Sequence, residues 1–407
     1  MEIRRTTAVA VAAMTLAGAT GTAAPLRDKA FTGAAVGRPE IVATFYGPVP
    51  VGVAVSSDRR IFVSFPRTMD VGPQTLGELK NGRIMPFPSA TVNRLDQKRP
   101  TERLLSVQGI TVDDQNRLWA LDTGKIRTDP IKPGTGAAKL VCISLETNKI
   151  TRVIAFPSGT AGPNAYLNDV RIDPFIGTEG TAFITDSSET GPNGIVVVDL
   201  ATGNSFRRLD NHPSVRATPK FTATVEGQPL LIRKPGMPPS HDKTGVDGLA
   251  LSGDGQQLYY CPNAGRTLYQ VSTKALADNG QETSAVVATV KPLGDKGFAS
   301  DGIEADASGR LFLTDYEHDA LRMRLAGGGY QTIARSPAMI WPDSISIARD
   351  GYLYYTSNQL NRRTQFHNGK DLRRKPYLLY RIPVAGAQPQ SVAWRGMRQR
   401  QAKGEVR

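Results

Sequence analysis

One short pattern of apolar and polar positions returns six times along the chain. A polar residue opens it, usually beside Gly. Three or four alternating apolar positions follow, then a turn, then a second run rich in β-branched and aromatic residues. The copies begin at Val51 (VGVAVSSDRRIFVSF), Gln108 (QGITVDDQNRLWALD), Asn168 (NDVRIDPFIGTEGTAFITD), Asp247 (DGLALSGDGQQLYYC), Asp301 (DGIEADASGRLFLTD) and Asp343 (DSISIARDGYLYYTS). Alternation such as Ile110 with Val112, or Ile345 with Ile347, has the period of two expected of strands. Turn chemistry parts each pair of runs, as at Ser57-Asp58, Asp114-Gln115-Asn116, Gly253-Asp254-Gly255 and Asp350-Gly351. Looser third runs follow, among them LVCISL, GIVVVDL and RTLYQVS. A hairpin of this size cannot bury a face alone and needs its neighbours. The repeat therefore predicts an all-β, six-bladed β-propeller over residues 41–395, in place of the two or three domains that 407 residues would otherwise suggest.

A four-stranded blade needs about 40–50 residues, and the repeats are spaced more widely, so the excess is loop. It falls at 204–244, which carries His212 and His241, at 69–101 and at 356–376. Sharing strands from the two chain ends would close the ring and remove its exposed edges. The run 272–278 fits one or two helical turns.

The first 23 residues read as a secretory signal. Arg4 and Arg5 precede an apolar stretch, 6–19, that is too short to cross a bilayer, and Gly21-Thr22-Ala23 offers a small-residue cleavage site before Ala24. Cleavage makes the mature protein secreted or periplasmic, and retention would make the segment an anchor. Residues 24–40 read as a flexible leader and 396–407 as a basic disordered tail.

Composition confirms a folded chain, with 40% apolar and 21% charged residues. The net charge of +13 is concentrated towards the C-terminus, in Arg362, Arg363, Arg373, Arg374, Lys375, Arg395, Arg398, Arg400, Lys403 and Arg407. Such a field attracts anionic partners, which for an exported protein means an anionic envelope surface, of polymers or lipid head groups, or an acidic ligand. The plainer reading is a solvated basic face. No nucleic-acid motif is present, and no nucleic-acid partner is expected. The expected state is a monomer with a small-molecule ligand. An oxidising compartment would permit a disulfide between Cys142 and Cys261, or both are buried small hydrophobes.

The leading residues of the six repeats are Val51, Gln108, Asn168, Asp247, Asp301 and Asp343, and five are polar. In a propeller they converge at one mouth of the central channel. Three carboxylates there repel one another unless a proton or cation is shared. Asp247, Asp301 and Asp343 are the candidate catalytic acids and bases. Gln108, Asn168, Asp169, His241 and Trp341 are the candidate ligand-binding residues. Calcium or magnesium suits an all-oxygen set, whereas zinc lacks a His or Cys pair at ligand spacing. The plainer reading is that Asp-Gly is turn chemistry bonded to the neighbouring blade. His241 and His318 are further candidate bases. Asp122, Asp186 and Asp315 end second strands and read as turn and inter-blade hydrogen-bonding residues. Trp119 and Trp341 line a pocket or pack between blades. There is no nucleophile elbow, phosphate loop or dinucleotide fingerprint.

Several strings carry a resemblance. RLLSVQGITVDDQNRLWALDTG at 103–124, LNDVRID with AFITDSS and GIVVVDL, SFRRLDNHPSV at 205–215, DGLALSGDGQQLYYCPNAGRTLYQVST, and SNQLNRRTQFHNGKDLRRKPYLLYRIPV at 357–384 resemble the yellow / major royal jelly protein family, in the right order. The resemblance implies a secreted propeller that binds a small polar or aromatic metabolite. Through dopachrome-converting members it implies an isomerase or tautomerase, and through salivary amine binders a protein without turnover. The hairpins are also similar, more distantly, to senescence-marker / gluconolactonase propellers. That likeness implies a metal-dependent lactone hydrolase with Asn168 and Asp301 as two metal ligands. The acidic ligand expected in the first blade is missing, since the stretch reads GPVPVGVAV with Val51 at the ring position.

Overall fold

The computed structural model describes residues 35–132 and 134–402. The segment read as a signal lies outside the described residues, as do 403–407. Six four-stranded antiparallel sheets are arranged as a six-bladed propeller. Their innermost strands are Val53–Val55, Val107–Val112, Leu167–Asp173, Val246–Leu251, Ile303–Ala305 and Pro342–Ile347. Each pairs with the next strand in the chain, so every repeated hairpin becomes the inner half of a blade. Adjacent innermost strands touch around a closed circle. The last blade is completed by Glu40–Phe45, which pairs with Tyr377–Pro383 and closes the ring with strands from both ends of the chain.

The blades pack through the alternating apolar faces that made the repeat visible. Trp119, Leu140, Ile172 and Val198 share one buried cluster between the second and third blades. Trp119 is packing rather than pocket, and its indole N–H donates to Asp113 Oδ2 at 2.8 Å. Four innermost strands carry a register shift at their leading pair, between Val107 and Ile110, Leu167 and Val170, Val246 and Leu249, and Pro342 and Ile345. Such bulges free a residue from the ladder and re-aim its side chain.

The glycine after the ring residue has a steric cause. A Cβ on Gly109 would strike the Asn168 carbonyl oxygen, one on Gly248 that of Asp301, and one on Gly302 that of Asp343. Hydroxyls on second strands lock the same seam. Ser64 donates to the Gln108 carbonyl, Thr185 to that of Asp247 at 2.8 Å and Thr356 to that of Val51 at 2.6 Å. The aspartates that end second strands act within their own blades instead of between blades. Asp122 accepts the N–H groups of Leu105 and Ser106 and pairs with Lys139, and Asp186 accepts the N–H of Tyr166.

Three further expectations, on the two chain ends and on His241, are corrected. The C-terminal segment is not a disordered tail from residue 396, because Gln390–Ala402 is a helix docked on the propeller. Gln390 Nε2 donates to the Leu251 carbonyl at 2.6 Å, and Trp394 Nε1 to that of Gly253 at 3.2 Å. Arg395 and Arg398 donate to the carbonyls of Asp114 and Pro174. The leader gives way to strand at Glu40 rather than after it. The third correction concerns His241 and is given with the site. The two cysteines lie two blades apart, in Lys139–Ser144 and Gln257–Pro262, and are free and buried. Among the described residues no helix is long and apolar enough to cross a membrane.

Candidate functional site

At one mouth of the channel lies a cavity of ≈ 370 Å³ whose floor is the ring of leading residues. Gln108, Asn168, Asp247, Asp301 and Asp343 all line it, from five different blades. They are fixed by their neighbours. Gln108 Nε2 donates to Asn168 Oδ1 at 2.8 Å, and Asn168 Nδ2 donates to Ser187 Oγ at 3.0 Å. Asn263 donates to Asp247 Oδ2 at 3.2 Å, and Asn358 donates to Asp343 Oδ2. Ser187, Asn263 and Asn358 each stand just beyond their second strand, so one blade position repeatedly braces the ring. Trp341 Nε1 donates to Asp301 Oδ2 at 2.6 Å.

The walls come from the long connections. Tyr166 precedes the third innermost strand, and its hydroxyl donates to Gln108 Oε1 at 2.9 Å. The insertion 204–244 is ordered around a two-stranded ribbon, Thr224–Val225 with Gln228–Pro229. It packs Ala223, Val225 and Leu230 in one cluster with Tyr316, Trp341 and Phe366. Phe366 and Leu360 belong to the insertion at 356–376 and line the cavity beside Trp341. The cavity thus has apolar rings in its walls above a polar floor.

Burial sets the charge of the floor. Asp301 is pushed up to about 7, first by desolvation and opposed by the Trp341 hydrogen bond. Asp247 and Asp343 are held well above the usual carboxylate range, first by desolvation and then by the charge of Asp301. Where four of the other repeats have Gly and the sixth has Ser344, the third has Asp169. It is buried and raised by desolvation, and adds its field to all three. Carboxyls this close share protons and titrate as a set.

The structure brings together five ring residues and Trp341, and does not bring His241. That imidazole lies on the exposed loop, with Nδ1 2.9 Å from Thr222 Oγ1, and it does not line the cavity. Its neighbours Asp242 and Thr244 do, because the loop turns inward only after it. Asp169 lies beneath the floor rather than on it. His318 bonds Asp315 through Nδ1 at 2.8 Å, away from the cavity. Val51 is buried and apolar.

The metal set implied by the lactonase resemblance does not fit. Asn168 Oδ1 is engaged by Gln108, Asp301 Oδ2 by Trp341, and Val51 supplies no donor. Among the described residues no three His, Cys, Asp or Glu side chains converge as a metal site.

Tyr166, Lys125, Glu189 and Arg363 complete the cavity and were not singled out from sequence. The one available signal was local: Tyr166 and Ser187 flank the LNDVRID and AFITD strings.

The sequence model of the major royal jelly protein family matches residues 105–383. Major royal jelly protein 7 of Apis mellifera is 25% identical over 216 residues, covering 51% of this chain and 43% of its own length. The yellow-related salivary protein SP03 of Phlebotomus perniciosus is 23% identical over 332 residues, covering 76% and 79%. The chain thus spans less than half the length of the bee relative. Among solved structures, a luciferin-regenerating enzyme is similar with a TM-score of 0.52 at 12% identity, over 86% of this chain and 97% of that one. A gluconolactonase of Xanthomonas campestris gives 0.49 at 12%, over 83% and 86%. At such identities the structural likeness speaks to the propeller alone.

Proposed function

The chain belongs to the major royal jelly protein family, and from that premise we propose that it binds a small polar or aromatic metabolite at the channel mouth and moves a proton within it. The observation that supports this reading is the trio Asp247, Asp301 and Asp343, delivered by three blades to one desolvated floor with Asp301 poised near 7. A base is most effective when its pKa lies near the working pH. Asp301 as the anion takes a proton from one atom of the ligand. Asp247 or Asp343, kept neutral, gives a proton to another atom of it. The product is a tautomer of the starting compound. The new carboxylate recovers its proton from Asp301, through the Asp247–Asp301 hydrogen bond where Asp247 was the donor. Nothing is oxidised and no group leaves. The N-terminal sequence supports placing this activity outside the cytoplasm.

The test is a spectrophotometric assay of enol-to-keto conversion on a panel of aromatic keto acids, with ligand binding followed separately by Trp fluorescence. Asp301→Asn is expected to bind as the native protein does and to lose at least about a hundredfold in rate, the scale of one acid–base group. Equal rates in the native and Asp301→Asn proteins would remove the proton-transfer reading, and absence of binding to every compound would remove the whole proposal.

A further inference from the structure

The cavity contains a cation that the ring chemistry does not use. Arg363 lines it, standing between two short 3-10 turns, Leu360–Arg362 and Thr364–Phe366. The backbone on either side is tied down, with Arg363 N–H donating to the Leu360 carbonyl at 3.1 Å and Phe366 N–H to that of Arg363 at 3.0 Å. Two other arginines of this insertion are engaged in ion pairs. Arg362 pairs with Glu226, and Arg373 with Asp70 and Asp371. These pairs anchor the loop at both ends. Among the described residues the Arg363 side chain makes no ion pair within 4.0 Å and no hydrogen bond, although burial already disfavours its charge. A half-buried guanidinium that faces the cavity without a protein partner is a group that a ligand's anion can complete.

A second cation stands on the same wall. Lys125 lines the cavity, with Nζ 5.9 Å from the Tyr166 ring centroid and only a 3.4 Å contact to the Ala165 carbonyl. The charges of Arg363 and Lys125 both reach Glu189, the carboxylate on that side, which burial raises. On the floor, burial raises Asp247 and Asp343 and so disfavours their negative charge.

We propose that the ligand is a planar organic acid, whose carboxylate is held by Arg363 with Lys125 while its ring lies against Trp341 and Phe366. This rests on the cavity-binding reading above and names the class of compound it takes. Guanidinium suits the role because its paired N–H groups match both oxygens of a carboxylate. An amine in the same place would face those two cations, with Glu189 and Asp242 the carboxylates on that wall.

Three probes with one ring and different charge separate the cases: 4-hydroxycinnamate, its neutral amide, and tyramine, titrated against the full chain by Trp fluorescence and calorimetry. The acid is expected to bind about tenfold or more tighter than the amide, the scale of a charge-assisted bidentate contact, and tyramine more weakly than both. Arg363→Gln should erase the preference for the acid and leave the amide unchanged. Arg363→Lys, which keeps the charge and loses the fork, should restore part of it, and thermal melts verify that both variants fold. Equal binding of acid and amide, tighter binding of tyramine, or an acid preference that survives Arg363→Gln would overturn the assignment and leave the cavity-binding reading standing. Binding of none of the three would overturn both.

Discussion

The indole N–H of Trp341 donates to Asp301 Oδ2 at 2.6 Å, tying the sixth blade to the ring carboxylate of the fifth. Trp341 achieves this from a left-handed backbone, with φ of 54°, a conformation that costs a bulky residue about 1–3 kcal/mol. Its ring stacks on Tyr316 at 4.0 Å and its carbonyl accepts the N–H of Asn358. The strained residue is thus held from two sides against the carboxylate it stabilises.

Trp341→Phe keeps a ring and removes that donor. The hydrogen bond favours the Asp301 anion, while desolvation and the field of Asp169 oppose it, within a set that includes Asp247, Asp343 and Asn263. Removing the bond therefore moves Asp301 upward from about 7. The pH midpoint of turnover is expected to shift to the alkaline side, and a profile that does not move would show that Asp301 is not the group being read.

The same burial makes stability depend on pH. Native Asp301 holds its proton to about pH 7, whereas in the unfolded chain it ionises near 3.8. Between those values the native state binds more protons, so stability falls as pH rises, by up to about 1.4 kcal/mol per pH unit for one such group. The contribution is complete below about 4 and lost above about 7, and Asp247 and Asp343, also raised by desolvation, act in the same direction. Asp301→Asn cannot ionise. Denaturant midpoints measured from pH 5 to pH 8 should therefore shift in favour of the variant as pH rises, whereas parallel curves would show that Asp301 titrates normally.

How much of this was legible in the sequence follows from the physics of each part. The blades were, because a half-buried strand must alternate and a tight turn must use Gly, Asn or Asp. The ring was, because polar residues open five of the six repeats, three of them directly before Gly, where a strand has no ordinary use for them. His241 misled because its loop approaches the cavity yet turns inward only at Asp242. Arg363 and Tyr166 were invisible because loop residues carry no period, and their meaning depends on which neighbouring charges are already paired. The terminal helix was hidden because QSVAWRGMRQRQA has a Gly inside it, no acidic first turn and few apolar positions. Trp394 anchors it together with Gln390, Arg395 and Arg398, edge-on to Phe175 at 6.2 Å.

The ring glycines yield a steric prediction. Gly302→Ala would drive a Cβ into the Asp343 carbonyl oxygen, while Gly47→Ala meets nothing within 4 Å. Overpacking where backbone cannot yield costs about 1–3 kcal/mol or more. Thermal unfolding should show a clear loss for Gly302→Ala and almost none for Gly47→Ala. Equal melting temperatures would mean that the blades are not seamed at these positions.

The docked helix leads to the final expectation. Opposite the ligand cavity, a void of ≈ 50 Å³ is lined by inner-strand residues such as Val55, Arg171 and Glu304 together with Gln390 and Trp394 of the helix. The helix therefore lies against the second mouth. Glu304 is raised by desolvation. Trp394→Ala should cost about 3–5 kcal/mol, the range for emptying a buried Trp site, measured as a fall in the denaturant midpoint. Deleting residues 390–407 should cost stability in the same way, yet leave small-acid affinity at the far mouth unchanged, because none of the cavity-lining side chains belongs to the helix. A truncated chain as stable as the full one would return this segment to a detached tail. A truncated chain that lost ligand affinity would mean that the two ends of the channel are coupled through the row of buried carboxyls between them.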